Sequence, residues 1–160
     1  MSKQQQLAIN KARSDGKIAI NYTLLAICFT IFALIISISP KLFLENEILT
    51  LQLTLAIPLF ISSLFARDKL AYTENSARLN SYGFFTFIIA YSFLINTVGL
   101  LLSSALSVTV SSVFFLINIL LALAYSYVTY GKGMTKRICK DGIFILLIII
   151  LGLLPSLGIY

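Results

Sequence analysis

Five long stretches of this chain contain no Lys, Arg, Asp, Glu or His, and every formal charge sits in the segments between them. A helix that crosses a bilayer needs about 20 apolar residues, since each residue rises about 1.5 Å through a hydrocarbon core about 30 Å thick. The first stretch runs from Ile18 to Ser39 and is closed by Pro40. The second covers about Ile48 to Ala66, the third about Gly83 to Leu102 and the fourth about Leu106 to Val128. The fifth, Ile143 to Ile159, is shorter and carries Gly152, Pro155 and Gly158 near its end. It either just spans or stops within the outer interface. The pattern predicts an all-α membrane protein, a bundle of five transmembrane helices.

Composition agrees. Of 160 residues, 59% are hydrophobic and 11% charged, against about 45–50% and about 25% in a soluble domain. No stretch is polar and long enough for a separate soluble unit, so residues 18–160 read as a single transmembrane helical domain behind a tail over 1–17. The first stretch is too long for a signal-peptide core, which has about 7–15 apolar residues, and it reads as an uncleaved anchor.

The basic residues set the expected orientation. With the N-terminus in the cytoplasm, eleven of the twelve Lys and Arg residues lie inside. They are Lys3, Lys11, Arg13 and Lys17, then Arg67, Lys69 and Arg78, then Lys132, Lys136, Arg137 and Lys140. Only Lys41 falls outside, in a connection that also carries Glu45 and Glu47. Short loops follow this positive-inside bias. Tyr22, Tyr72, Tyr82, Tyr125, Tyr127 and Tyr130 also gather at the inner boundary. The expectation is N-in, C-out, integral to a plasma or inner membrane. The net charge of +6 is dispersed beside the spans, where anionic lipid headgroups account for it and nucleic acid is not needed.

Several residues stand out along the spans. Thr23, Ala26, Thr30, Ala33 and Ser37 recur every three or four positions, a stripe of small side chains along one face of the first helix. Small residues let helices approach closely in lipid, so this stripe reads as a helix-packing face within the bundle. Ser104, Ser107, Ser111, Asn118, Ala122 and Tyr125 make a similar stripe in the fourth span, and Gly152 and Ser156 a small pair in the fifth. Asn96 and Asn118 fall at comparable depth if spans three and four are antiparallel. With Ser111 they form either an interhelical clamp or a polar lining, because an amide facing lipid would leave its donors and acceptors unpaired. Gln52 lies near enough to a helix end to be hydrated. Pro58 removes a backbone donor inside the second span and marks a hinge, with a freed carbonyl near Thr54. Lys132, Lys136, Arg137 and Lys140 make a basic cytoplasmic loop. Arg67-Asp68-Lys69 and Lys140-Asp141 read as solvated helix ends. Cys28 reads as a small buried apolar residue, and Cys139 as an inert loop thiol.

The absences narrow the chemistry. There is no His, and all six acids lie in loops or tails. A coupled carrier of the usual kind places a carboxylate or a dense polar lining at mid-membrane. Nothing reads as a nucleophile with its base, a metal-ligand cluster or a phosphate-binding loop. The chain is therefore expected to be no enzyme and to need no cofactor. It reads first as a membrane-embedded subunit that assembles with itself or with another membrane protein through small-residue faces. The alternatives are a channel or facilitator for a small solute, and an effector that perturbs the membrane on a cytoplasmic signal. Asp15-Gly16-Lys17, just before the first span, resembles the Asp-x-Lys start of some small prokaryotic membrane-embedded antiviral effectors. Those three residues keep the effector reading open and identify no family.

Overall fold

The computed structural model describes residues 3–72, 77–128 and 134–159. Among them the chain is helical, with α1 over Lys3–Ile38, a short α2 over Lys41–Glu45, α3 over Glu47–Tyr72, α4 over Ala77–Ala105 and α5 over Val108–Val128. Then come α6 over Met134–Ile148, a π-helical turn over Ile149–Leu153 and a last turn, α7, over Leu154–Ser156. Five segments are long and apolar enough to cross a membrane: Ser14–Ile38, Glu47–Leu70, Ala77–Ala105, Val108–Val128 and Cys139–Ser156. Five such helices are compatible with a polytopic membrane protein.

The helices overrun the apolar stretches because their charged flanks are good helix formers. Residues 3–17 hold Gln, Ala, Lys and Arg with no proline, and one glycine, Gly16, is tolerated at a modest cost. α1 therefore extends back to Lys3 through the segment read as a tail. The expected basic loop is likewise mostly helix: α6 begins at Met134, so Lys136, Arg137 and Lys140 lie on its opening turns. Lys132 lies outside the described residues.

Local chemistry fixes the ends. Pro40 cannot continue α1, and the chain reverses through Ser39 and α2. The Asn46 side chain then accepts from the Leu49 N–H at 3.0 Å, capping α3. Ser107 caps α5 in the same way through the Val110 N–H at 3.3 Å. At the last helix, Gly158 takes φ +70°. The Gly158 N–H bonds to the Pro155 carbonyl and the Ile159 N–H to the Leu154 carbonyl, both at 3.0 Å. This is a Schellman stop, in which only glycine adopts the left-handed position cheaply.

α4 is the centre of the bundle. One core joins Cys28 and Ile35 of α1, Leu49, Leu53, Ala56 and Phe60 of α3, and Ala90, Leu94 and Leu100 of α4. A second joins Ile88 of α4 to Phe115 of α5 and to Phe144 and Ile148 of α6. An aromatic chain links the two: Phe60 meets Phe87 edge-on at 6.0 Å, Phe87 stacks with Tyr91 at 6.1 Å, and Tyr91 stacks with Phe144 at 5.8 Å. α3 and α4 share the largest interface, closest at Gly83, where an added Cβ would sit 2.9 Å from that of Ala66. Cys28 is buried in the first core, as its apolar setting suggests, and Cys139 is exposed.

Candidate functional site

One set of buried polar side chains lies toward the end of the bundle that carries Pro40 and Gly158. Pro155 has no N–H, so the carbonyl of Leu151, four residues earlier, loses its ordinary helical partner. Gln52 of α3 supplies the missing donor, its amide Nε2 lying 2.8 Å from the Leu151 oxygen. One turn earlier, Asn96 of α4 donates to the Leu147 carbonyl at 3.1 Å. Two side-chain amides from two helices thus hold successive turns of the last span, on either side of the start of the π-helical turn. Gln52 is 2% exposed and Asn96 fully buried. Gln52 is therefore not the hydrated end group that its position in the sequence suggests. Each amide keeps its carbonyl oxygen sealed and without a partner. Gln52→Leu is expected to destabilise the bundle by about 1–2 kcal/mol, the cost of stranding the Leu151 carbonyl. Adding Pro155→Ala should recover much of that loss by restoring a backbone donor. Unfolding in bicelles, followed by the reactivity of the buried Cys28 thiol in a Cys139→Ser background, measures both.

Phe115 of α5 fills the space beside this pair. Its ring rests on two glycines, where an added Cβ would lie 2.1 Å from the ring at Gly99 and 2.6 Å at Gly152. Gly152 also faces Asn96, whose Oδ1 would be 2.5 Å from such a Cβ. Ser111, one turn before Phe115, donates to the Gly99 carbonyl at 2.8 Å. Asn96 and Ser111 therefore meet around one glycine-lined cradle. Asn118 does not join them: its amide donates to the Phe114 carbonyl of its own helix at 2.9 Å, and it is half-buried. The two asparagines do not pair with each other, and the three residues do not form one lining. The buried hydroxyls are also committed, Ser92 to Ile88 and Thr97 to Phe93, each at 2.8 Å.

The small-residue stripe of α1 faces away from the bundle. Thr23, Ala26, Thr30, Ala33 and Ser37 are all exposed, while Ser14, Asn21, Cys28 and Ile35, seven residues apart, face inward. Its hydroxyls bond back to their own helix, Thr23 to Ala19 at 3.0 Å, Thr30 to Ala26 at 2.9 Å and Ser37 to Ala33 at 2.8 Å. Thr30, Ala33 and Ser37 of the stripe form the floor of a shallow, open surface groove on α1, with Phe29, Leu34 and Ile38 of the same helix beside them. The stripe packs against nothing within the described chain, contrary to the expectation of a seam inside the bundle. Pro58 also lies on an exposed face, as does Thr54, and α3 runs through it without interruption.

The end that carries Ser14 holds charge that the sequence suggests is solvated. Arg67 is only 5% exposed. Its Nη1 donates to Asn80 Oδ1 at 2.7 Å, and its backbone carbonyl accepts from Ser14 Oγ at 2.6 Å. Beside it, Asn21 donates to Ser63 Oγ at 3.1 Å, and Ser63 donates to the Gly83 carbonyl at 2.7 Å. Asp141 is likewise buried, bonded by Ser126 and paired with Lys140 at 3.2 Å. The Lys140 ammonium lies 5.3 Å from the Phe84 ring centre and 5.2 Å from that of Tyr125, within cation–π range. Neither patch is a simple solvated helix end. An Asn or Ser one or two turns from an interfacial Arg was the available signal, but it does not say which way the Arg points.

Compared with known protein families, curated proteins and solved structures, the chain matches none. The geometry alone carries the functional reading.

Proposed function

We propose that this chain is a non-enzymatic, polytopic membrane subunit that assembles, with a second copy or with another membrane protein, through the exposed small-residue face of α1. The observation that carries the reading is the outward direction of Thr23, Ala26, Thr30, Ala33 and Ser37. In lipid there is no water to expel between helices, so association depends on close packing, and small residues permit it. A groove floored by Ala and Thr and flanked by Phe29, Leu34 and Ile38 fits a second helix better than it fits disordered acyl chains. α1 packs on its own bundle through Ser14, Asn21, Cys28 and Ile35 with Leu24, Leu25, Ile31 and Phe32 beside them, and the face that carries Thr23, Ala26, Thr30, Ala33 and Ser37 is left for a partner. The positive-inside distribution places the N-terminus on the cytoplasmic side, and the short connections at the far end leave little surface there.

The non-enzymatic part is supported by the absence of histidine from the chain and by buried polar side chains that bond to their own or a neighbouring helix, such as Ser92, Thr97, Ser111, Gln52 and Asn96. The test is the mass of the particle extracted in nanodiscs, with all co-purifying chains identified. Thr30→Leu and Ala33→Leu are each expected to weaken assembly at least about tenfold, roughly the 1.4 kcal/mol lost when one close contact is blocked. Particles of unchanged mass and composition in both variants would remove the basis of the proposal.

A further inference from the structure

Among the described residues, Arg67 is a cation with no carboxylate in an ion pair with it. A guanidinium is always ionised and carries five N–H donors in a rigid planar fork. Here it is almost wholly removed from solvent, and one neutral amide oxygen, that of Asn80, accepts from it. The next residue, Asp68, is turned instead into the cleft between α1 and α3, with Ile18, Tyr22 and Phe65. Burying a charge in this way is costly unless it is paired.

Two details turn this cost into a site. The guanidinium is held by a side-chain bond: Nη1 donates to Asn80 Oδ1 at 2.7 Å. Ser14 anchors the backbone of the same residue to α1. The unengaged nitrogens are also not sealed. The sealed, unpartnered polar atoms are Asn21 Oδ1, Gln52 Oε1 and Asn96 Oδ1, and no nitrogen of Arg67 is among them. A largely desolvated guanidinium, bonded on one nitrogen and with the others not fully sealed, suits an oxyanion that accepts two parallel N–H bonds. The other charges at this end of α1, α3 and α4, namely Asp15, Lys17, Asp68, Lys69 and Arg78, are all exposed.

We propose that Arg67, positioned by Asn80 and Ser14, is a binding site for a phosphate group at this end of the bundle. The phosphate comes either from a lipid headgroup or from free phosphate in the aqueous phase. The site stands on the Arg67 geometry and does not depend on how α1 assembles.

The test uses the full chain, delipidated in detergent, with the onset of Cys28 reactivity on heating as the readout in a Cys139→Ser background. Three probes are added separately: phosphatidylglycerol, inorganic phosphate, and monoolein as a lipid with no phosphate. Phosphatidylglycerol is expected to raise the transition by several degrees while monoolein does not. Arg67→Gln should weaken the effect by about ten- to a hundredfold in concentration, the worth of charge-assisted hydrogen bonds, and Lys69→Gln should leave it intact. An equal shift with inorganic phosphate supports the site and names free phosphate as a ligand; a shift with phosphatidylglycerol alone supports it and names the lipid. If Arg67→Gln does not fold, Arg67→Lys, which keeps the charge but loses the fork, should show the same weakening. A shift equally large with monoolein, or one that survives in every folded Arg67 variant, overturns the proposal.

Discussion

Phe115→Ala is expected to cost the bundle about 3–5 kcal/mol and to release α5 from it. Phe115 and Ser111 are the two buried residues of α5, with Phe114, Ile119 and Ala122 packed part-buried around them, so the ring is the largest single point of attachment of this helix. The ring sits on Gly99 and Gly152, and removing it leaves a void that two glycines from separate helices cannot close. The opposite change tests the same contact. Gly99→Ala puts a methyl 2.1 Å from the ring, an overlap that side-chain rotation cannot relieve while Gly152 holds the other face. It should cost about 1–3 kcal/mol by overpacking. Combined with Phe115→Leu, Gly99→Ala should cost less than the two single changes summed, because the smaller side chain makes room for the methyl. Exchange protection of the α5 amides reports the release directly, and strict additivity would show that the cradle is not the point of contact.

The second large effect is expected at Gly83. A leucine there must displace Ala66, whose Cβ would stand 2.9 Å from the new Cβ, and both sit on helix backbones that cannot move independently. The two most extensively packed helices would have to separate. The chain of bonds from Asn21 through Ser63 to the Gly83 carbonyl would break with them. The expected loss is about 3 kcal/mol or more, combining overpacking with stranded polar groups. Gly16→Leu, on an exposed turn with nothing within 4 Å of the added Cβ, is the matched control and should be nearly silent. Thermal unfolding of the two variants in the same bicelles makes the comparison.

The apolar stretches made the number of long helices legible, and Pro40 marked the end of the first, because turn chemistry is local; the caps at Asn46 and Ser107 came only from the structure. The direction each helix faces was much less legible. In a soluble protein the apolar side of a helix is the buried side, but here both sides are apolar and hydropathy carries no azimuth. That is why the α1 stripe could be read as an inner seam although it faces out. The polar partners were hidden for a related reason. Asn96 and Asn118 lie at similar depth, yet depth does not decide that one amide reaches the Leu147 carbonyl while the other turns back on its own helix. The donor role of Gln52 depends on a proline roughly a hundred residues away, Pro155, whose effect on the Leu151 carbonyl is local while the response to it is not. The burial of Arg67 was not legible because charge at a helix end usually means water, and its partner Asn80 lies on a different helix.

The π-helical turn between Ile149 and Leu153 has a consequence for chain length. A π turn carries one residue more than an α turn, so it advances the phase of everything after it by about 100°. The last span thereby presents Leu147 and Leu151 to α4 and α3 and still brings Ser156 round to Ser103, whose hydroxyl lies 3.5 Å from its carbonyl. Deleting any one residue of 149–153 would restore a regular α-helix of nearly the same length and hydrophobicity. It would also swing Pro155 and Ser156 off their partners. In this segment the number of residues is as informative as their identity.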